Sequence, residues 1–519
     1  MKNALPPRAR GALILVLLGL LLAPAAPAQQ PARPPEYNEI LAAQKIADLT
    51  ARLKEFERLK AAYPASSMMA TIDGNIYGIK LDMAETLDAV LALQKDLVGK
   101  GDGFAKWGSY YSAAMDIVTH DNLEKFDRAG VLSSVQAYKD AGDKLAGDPA
   151  FLQAIPEAQR NFLAEYNRYF LVALAAAQLK AGDPAQAASS LEAYRNGGGP
   201  RDGMYFYTVA EAAAKLNKSA DALAGYMDAS IENFRDAGTK AKAAWIAQKG
   251  SETGFAAALE AKQKELPYHP DAFKAPADWK GKTVLAEIFT GSECPPCVAA
   301  DLGFDGLIES VPATHLAILE YHLPIPRPDP IMNPATGARQ KFYGVSSTPS
   351  TFFDGTAKFG GGGSRGNAAN KYKQYLGEIM ARLSEAPALT LKAKAALVND
   401  KVGVEVAVDK PVPGVEILVV LVQGEVPYKG SNGIAFHKMA VRDILTVTAE
   451  APKAEFDLAA SEKETDAYLT EFEKTYTRIP NFKWAERHFR ISRTGLKVVA
   501  FAQDPATKKI LNAVTVDVK

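Results

Sequence analysis

Between about residues 37 and 263 the apolar positions recur at three- and four-residue intervals, the period of one helix face. Ile46, Leu49, Leu53 and Phe56 form one such stripe, and residues 81–98, LDMAETLDAVLALQKDLV, carry another. From about 157 to 263 alanine-rich helical stretches alternate with short polar breaks. Two of these breaks, KAGDPAQA (180–187) and KLNKSADA (215–222), occupy equivalent places 35 residues apart. Proline and charge then dominate KELPYHPDAFKAPADWKGK (264–282), which reads as a linker.

Beyond the linker the period changes. TVLAEIF (283–289) and THLAILEYHL (314–323) read as buried strands, separated by the helical VAADLGFDGLIESV (298–311). A second helix is expected over 333–345, then two strands over 347–363 joined by a turn at Asp354-Gly355, then a polar helix over 370–385. Strand, helix, strand, helix, two strands and helix describe one α/β domain. After it the pattern alternates with period two at 402–408, 415–424, 496–503 and 510–518, interrupted by a helix over 462–476. DPATKK (504–509) joins the last two strands with hairpin chemistry. A β-sandwich is the expected form of residues 388–519.

Length, 519 residues, suggests about three domains. Apolar content of 48% and charged content of 23% are those of a globular protein with a sizeable core. Sixty basic and sixty acidic side chains cancel, which argues against nucleic acid or an anionic membrane surface as a partner. The first residues read as an export signal, 1–28. Lys2, Arg8 and Arg10 precede an apolar run at 11–23, and Ala26-Pro27-Ala28 offers a cleavage pattern. The run is shorter than the roughly 20 residues that span a bilayer, so cleavage is favoured over an uncleaved anchor, and membrane contact is expected only through this segment. A periplasmic or secreted location follows.

Export changes the meaning of the chain's two cysteines, Cys294 and Cys297, in FTGSECPPCVAADL (289–302). Outside the cytosol neighbouring thiols oxidise. A bridge closing so short a loop removes little entropy from the unfolded chain, so stapling is a weak motive for it. Two cysteines three apart at a helix start bring their sulfurs within bonding reach, with the first exposed beyond the helix end. Pro295 and Pro296 fit a first helical turn, yet they remove two N–H donors from the site. Glu293 adds a negative neighbour. Each effect disfavours a thiolate at Cys294 and points to a reductase- or isomerase-like dithiol rather than a strong oxidant.

A strand leading into C-x-x-C at a helix start, with Thr348-Pro349 before a later strand, resembles the thioredoxin fold over residues 275–386. The wording EIFTGSECPPC is also similar to thioredoxin-like domains of exported, envelope-associated proteins of the Omp28 type. The resemblance implies that Cys294 attacks a substrate disulfide, that Cys297 resolves the mixed disulfide, and that Pro349 is cis and faces the dithiol. It also implies a buried acid six residues before the first cysteine. That position is Ile288, and Glu287 lies one residue further back, so Glu287 reaches the site only if a bulge, for which Gly291 is the candidate, shifts the strand's parity. The tryptophan usual before the first cysteine is replaced by Glu293. Upstream, the 35-residue spacing over 37–263 resembles tetratricopeptide repeats, and an irregular helical bundle fits the same pattern.

No organic cofactor is required, because the dithiol itself carries electrons. Protein substrates with disulfides or thiols, and a redox partner that regenerates the pair, are implied. His315 and His322 lie seven residues apart on one strand and so face opposite sides, which argues against a shared metal site. His437 reads as a surface or packing residue. GGGGS (360–364) lacks the Gly-Lys-Ser/Thr of a phosphate loop and reads as a flexible turn. The rival to an oxidoreductase is an envelope binding or assembly protein whose disulfide is permanent.

Overall fold

The computed structural model describes residues 34–479 and 481–519, so the expected export signal lies outside the described residues. The chain divides into two compact units. One comprises residues up to Pro200 together with Met204–Gly225, and the other Arg201–Gly203 together with Tyr226–Lys519.

The first unit is helical. Four of its helices are α1 (Phe104–Val118), α2 (Arg128–Ala146), α3 (Phe170–Ala181) and α4 (Pro184–Asn196). Side-chain caps set their starts: Asp127 accepts from Gly130 N–H before α2, and Asp183 accepts from Gln186 N–H before α4, where Pro184 takes the first position. Trp107, Tyr111 and Phe170 form the aromatic contact of α1 with α3. Gly142 on α2 leaves room for the Phe170 ring, since a Cβ there would lie 2.5 Å from it. The two polar breaks both turn through positive φ, Gly182 at 93° directly after a helix and Asn217 at 59° two residues after one.

The second unit holds an eight-stranded mixed sheet and a three-stranded antiparallel sheet. The first four strands are β1 (Val284–Thr290), β2 (Leu316–His322), β3 (Ser350–Phe353) and β4 (Thr356–Gly360). They alternate with α5 (Val298–Ser310) and α6 (Pro334–Tyr343) and are followed by α7 (Ala368–Leu383). Later come β5 (Thr390–Val398), β6 (Lys401–Asp409), β7 (Glu416–Pro427), β8 (Phe436–Val447) and β9 (Lys453–Asp457). The helix α8 (Leu458–Thr475) then precedes β10 (Leu496–Gln503) and β11 (Ile510–Asp517). The large sheet runs β11-β10-β7-β8-β2-β1-β3-β4, and the small one β5-β6-β9.

Residues 275–386 and 388–519 therefore share a sheet. β2 pairs in parallel with β8 at Glu320 and Ala440. β7 is apolar on both faces for the same reason. Ile417, Val419 and Leu421 pack against the small sheet with Val402, Val404 and Val406, while Leu418, Val420 and Val422 join the core that holds Phe289, Tyr321 and Tyr343. The alternation of the C-terminal strands thus yields a two-layer packing on the outer half of the large sheet, with the inner half continuing into β2, β1, β3 and β4.

Candidate functional site

Cys294 and Cys297 are joined, with an S–S distance of 2.09 Å and Cα atoms 5.4 Å apart. β1 delivers the chain to the turn, and a single 3₁₀ turn over Pro295–Cys297 leads into α5. The Thr348–Pro349 peptide is cis, and Thr348 Oγ1 lies 3.3 Å from Cys294 Sγ while its hydroxyl donates to Ile325 O at 2.8 Å. The structure thus brings Cys294, Cys297, Thr348 and Pro349 together around one turn.

Donors at the start of α5 are already engaged. Pro295 and Pro296 have none, Cys297 N–H donates to Cys294 O, Val298 N–H to Pro295 O, and Ala299 N–H to Gly363 O. The anion-stabilising end that a helix start normally offers is therefore closed here.

The first cysteine is not exposed, as its place beyond the helix end led us to expect: both cysteines have 0% of their surface accessible. The reason is non-local. The loop between β7 and β8, 428–435, docks on the approach to Cys294. Asn432 N–H donates to Ser292 O at 3.1 Å and Asn432 Nδ2 to Gly291 O at 3.3 Å. Tyr428 OH donates to Glu293 Oε1 at 3.0 Å, and Ser431 N–H to Glu293 Oε2 at 3.3 Å. On the other side the glycine run is not a loose turn. Gly363 N–H donates to Pro296 O at 2.7 Å, and a Cβ on Gly362 would sit 1.5 Å from that oxygen and 3.2 Å from Pro349 Cγ. Pro295 and Pro296 themselves remain exposed.

Glu287 stays apart from this cluster. β1 pairs with β2 in unbroken register from Val284 to Thr290, so no bulge changes its parity. Phe353, opposite Ala286, touches Phe304 of α5, whereas Phe352, opposite Glu287, stacks on Tyr343 of α6. Glu287 thus faces α6, away from the helix that carries the cysteines. There it accepts from Arg339 Nη2 at 2.6 Å, Tyr321 OH at 2.9 Å and Tyr343 OH at 2.5 Å. It is a buried ion-pair residue.

The buried acids on the cysteine side are ones that sequence reasoning passed over. Asp301 lies one turn of α5 beyond Cys297, and Glu320 shares a sheet face with Ile288 and Thr290. Burial pushes both carboxyls well above the ordinary range, and the neighbouring charge of Asp305 adds to each shift. Burial likewise raises Asp305 to about 6, against the pull of Lys438. For Asp301 the signal in the sequence was an acid at i+4 from the second cysteine, on a helix that also carries Asp305 and Glu309.

The histidines separate. His315 stacks on Trp279. His322 shares a hydrogen bond with Asp329 at 2.9 Å, and the same carboxylate oxygen accepts Ser292 N–H at 2.6 Å. His437 is packed edge-to-face on His322 rather than at the surface, and burial lowers its pKa to about 3, so it is neutral. Among the described residues no three His, Cys, Asp or Glu side chains are grouped to hold a metal ion, and no helix is long and apolar enough to cross a membrane. Compared with protein-family models, curated proteins and solved structures, the chain matches none.

Proposed function

We propose that this chain is an exported thiol–disulfide oxidoreductase of thioredoxin-like type, acting on protein disulfides as a reductase or isomerase. The observation that carries the reading is the placement of the Cys294–Cys297 disulfide at the β1–α5 junction, with Cys294 Sγ 3.3 Å from Thr348 of the segment before β3. The connectivity β1–α5–β2–α6–β3–β4–α7 around it supports the same reading.

In the reduced form Cys294 thiolate attacks one sulfur of a substrate disulfide. A mixed disulfide forms, and the other substrate sulfur leaves with the electron pair and takes a proton. Cys297 thiolate then attacks Cys294 Sγ, releasing the second substrate thiol and closing the disulfide present in the structure. Two electrons reach the substrate, and a dithiol partner must return them. Asp301, one turn from Cys297 and pushed toward its protonated form by burial, is assigned the proton exchange with the resolving thiol. Asp301→Asn should slow resolution without slowing capture, and equal slowing of both steps would remove it from that role.

Since the helix-start donors are engaged and Glu293 lies beside Cys294, the dithiol is a weak oxidant. Equilibration with glutathione tests this: a potential near about −120 mV, that of a strong oxidant, would overturn it. One observation favours a second reading, a permanent disulfide in a binding or assembly protein: neither cysteine is accessible. Reduction of insulin, lost in Cys294→Ser, together with capture of substrate proteins by Cys297→Ser, decides for the enzyme. A pair that stays oxidised in mild reductant, with no turnover, decides for the scaffold.

A further inference from the structure

The cover over the redox turn has a chemical signature. The 428–435 loop closes on itself through Tyr428 N–H to Ala435 O and Gly433 N–H to Gly430 O. All four of its hydrogen bonds to the turn run in one direction. Asn432 N–H, Asn432 Nδ2, Ser431 N–H and Tyr428 OH donate, while Gly291 O, Ser292 O and both carboxylate oxygens of Glu293 accept. The approach is close enough to demand glycine at 430, where a Cβ would meet Ser292 O at 2.3 Å and Glu293 Oε1 at 2.8 Å. Glu293 is only half-buried, and among the described residues its charge meets a phenol and an amide but no lysine or arginine. The loop tip is open to solvent at Lys429 and Ser431, whereas Asn432 to Ile434 are buried, with Ile434 packed on Val298 and Leu302 of α5. Tyr428 belongs to the anchored base, since its carbonyl accepts from the buried His437 Nε2 at 3.1 Å and its ring packs on His488, so the part free to lift is Lys429–Ser431.

We infer that the Lys429–Ser431 tip is a displaceable cover, latched by the Tyr428 hydroxyl on Glu293 and occupying the binding place of the substrate, and that the substrate is a disulfide-bearing segment with a basic side chain beside its cysteine. The inference rests on the oxidoreductase reading. Lifting the tip takes the Ser431 N–H away and leaves Glu293 Oε2 without a donor next to the attacking sulfur. A partner that supplies none leaves it unpaired, and a like charge is repelled. A lysine or arginine beside the substrate cysteine restores the lost bonds with a charged one.

Two measurements on the full chain test this. The first is the rate at which dithiothreitol reduces the disulfide, read by maleimide labelling of the freed thiols. Gly430→Ala and Tyr428→Phe should each speed reduction about three- to tenfold, the worth of one or two lost hydrogen bonds to the cover. Tyr428→Phe keeps the glycine and serves if the alanine variant folds poorly. Wild-type rates in both variants overturn the cover. The second uses reduced Cys297→Ala protein and two short peptides, each with its one cysteine linked to thionitrobenzoate and flanked by lysine or by glutamate. Attack by Cys294 on the peptide sulfur joins peptide to protein and releases thionitrobenzoate with the electron pair. The lysine peptide should react about threefold or more faster than the glutamate peptide, and Glu293→Gln should abolish the difference. Equal rates in the unsubstituted protein overturn the basic-substrate assignment. The two levels fail separately. If no variant, Gly430→Ala included, turns over insulin, the oxidoreductase reading falls, while the ratio of reduction rates still reports on the cover.

Discussion

Glu287 was the candidate base whose parity on β1 decided whether it could serve the cysteines, and its placement makes a sharp prediction. It is fully buried, Arg339 is 4% exposed, and they are joined at 2.6 Å. Tyr321 and Tyr343 add their hydroxyls to the same carboxylate, and Arg339 Nη1 donates to Gln503 Oε1 at 2.8 Å. Replacing Glu287 by leucine leaves a nearly buried guanidinium without its carboxylate. Removing one partner of a buried pair costs about 3–5 kcal/mol. Arg339 keeps Gln503 and the Tyr343 oxygen, which argues for the lower part of that range. The double replacement Glu287→Leu with Arg339→Met removes both charges and should recover most of the loss. Native-state hydrogen exchange of the β1 amides reads the opening free energy where the pair sits. In Glu287→Gln, which keeps the shape, the pH profile of thiol exchange should match that of the unsubstituted protein. A single-variant loss below about 1 kcal/mol, or a double variant as unstable as the single, would refute the energetic reasoning. A shifted pH profile would refute the placement of Glu287 outside the redox chemistry.

Gly362→Ala places a Cβ 1.5 Å from Pro296 O, so the 360–363 run must lift from the turn. A loss of about 1–3 kcal/mol by urea unfolding, with faster reduction by dithiothreitol, is expected. Gly360→Ala, with open space around its Cβ, should change neither. In the helical unit, Gly142→Ala drives a Cβ to 2.5 Å from the Phe170 ring and should destabilise by about 1–3 kcal/mol despite alanine's better helix propensity. Gly108→Ala, in the interior of α1 with nothing within 4 Å of its Cβ, should stabilise by about 1 kcal/mol, and urea midpoints of the two variants should move in opposite directions. Asp116 is buried, and burial raises its carboxyl from 3.8 to about 6, opposed by the hydrogen bond from Tyr77. Between these values the folded state binds more protons than the unfolded, so stability falls as pH rises from about 4 to about 6. Asp116→Asn should flatten that slope by about 3 kcal/mol, measured as the pH dependence of the difference from the unsubstituted protein.

Local periodicity carried much of the fold. The parity of β1 already placed Glu287 on the wrong face, and the unbroken register of β1 with β2 leaves it there. β8 was not read as a strand because His437, Lys438, Arg442 and Asp443 interrupt its apolar pattern, and Met439, at φ 50°, breaks the alternation. Each charge has a partner that only the folded chain supplies: Lys438 meets Asp305, and Arg442 donates to the carbonyls of His488 and Arg490. Missing β8 hid the junction of the two sheet regions, since β8 is the strand that meets β2. It also hid the cover, because the loop leading into β8 reaches Glu293, the neighbour of Cys294, across more than 130 residues of chain.

That distance bears on why Cys294 is buried at all. An exposed thiol in an oxidising compartment reacts with any small disulfide it meets, and neither the spacing of C-P-P-C nor its prolines prevents this. On the proposed reading, a cover held to the Glu293 carboxylate and its neighbours by uncharged donors limits this and yields to a ligand that offers the same carboxylate a charged donor. The turn that buries Cys294 is covered at Gly291, Ser292 and Glu293 by this loop and flanked at Cys294 Sγ by Thr348 Oγ1 at 3.3 Å. On the proposed oxidoreductase reading, the reach of Tyr428 and Ser431 to both oxygens of Glu293, over a glycine that admits no side chain, gates the dithiol, and faster reduction of Gly430→Ala by dithiothreitol is the outcome that separates a gate from a fixed cover.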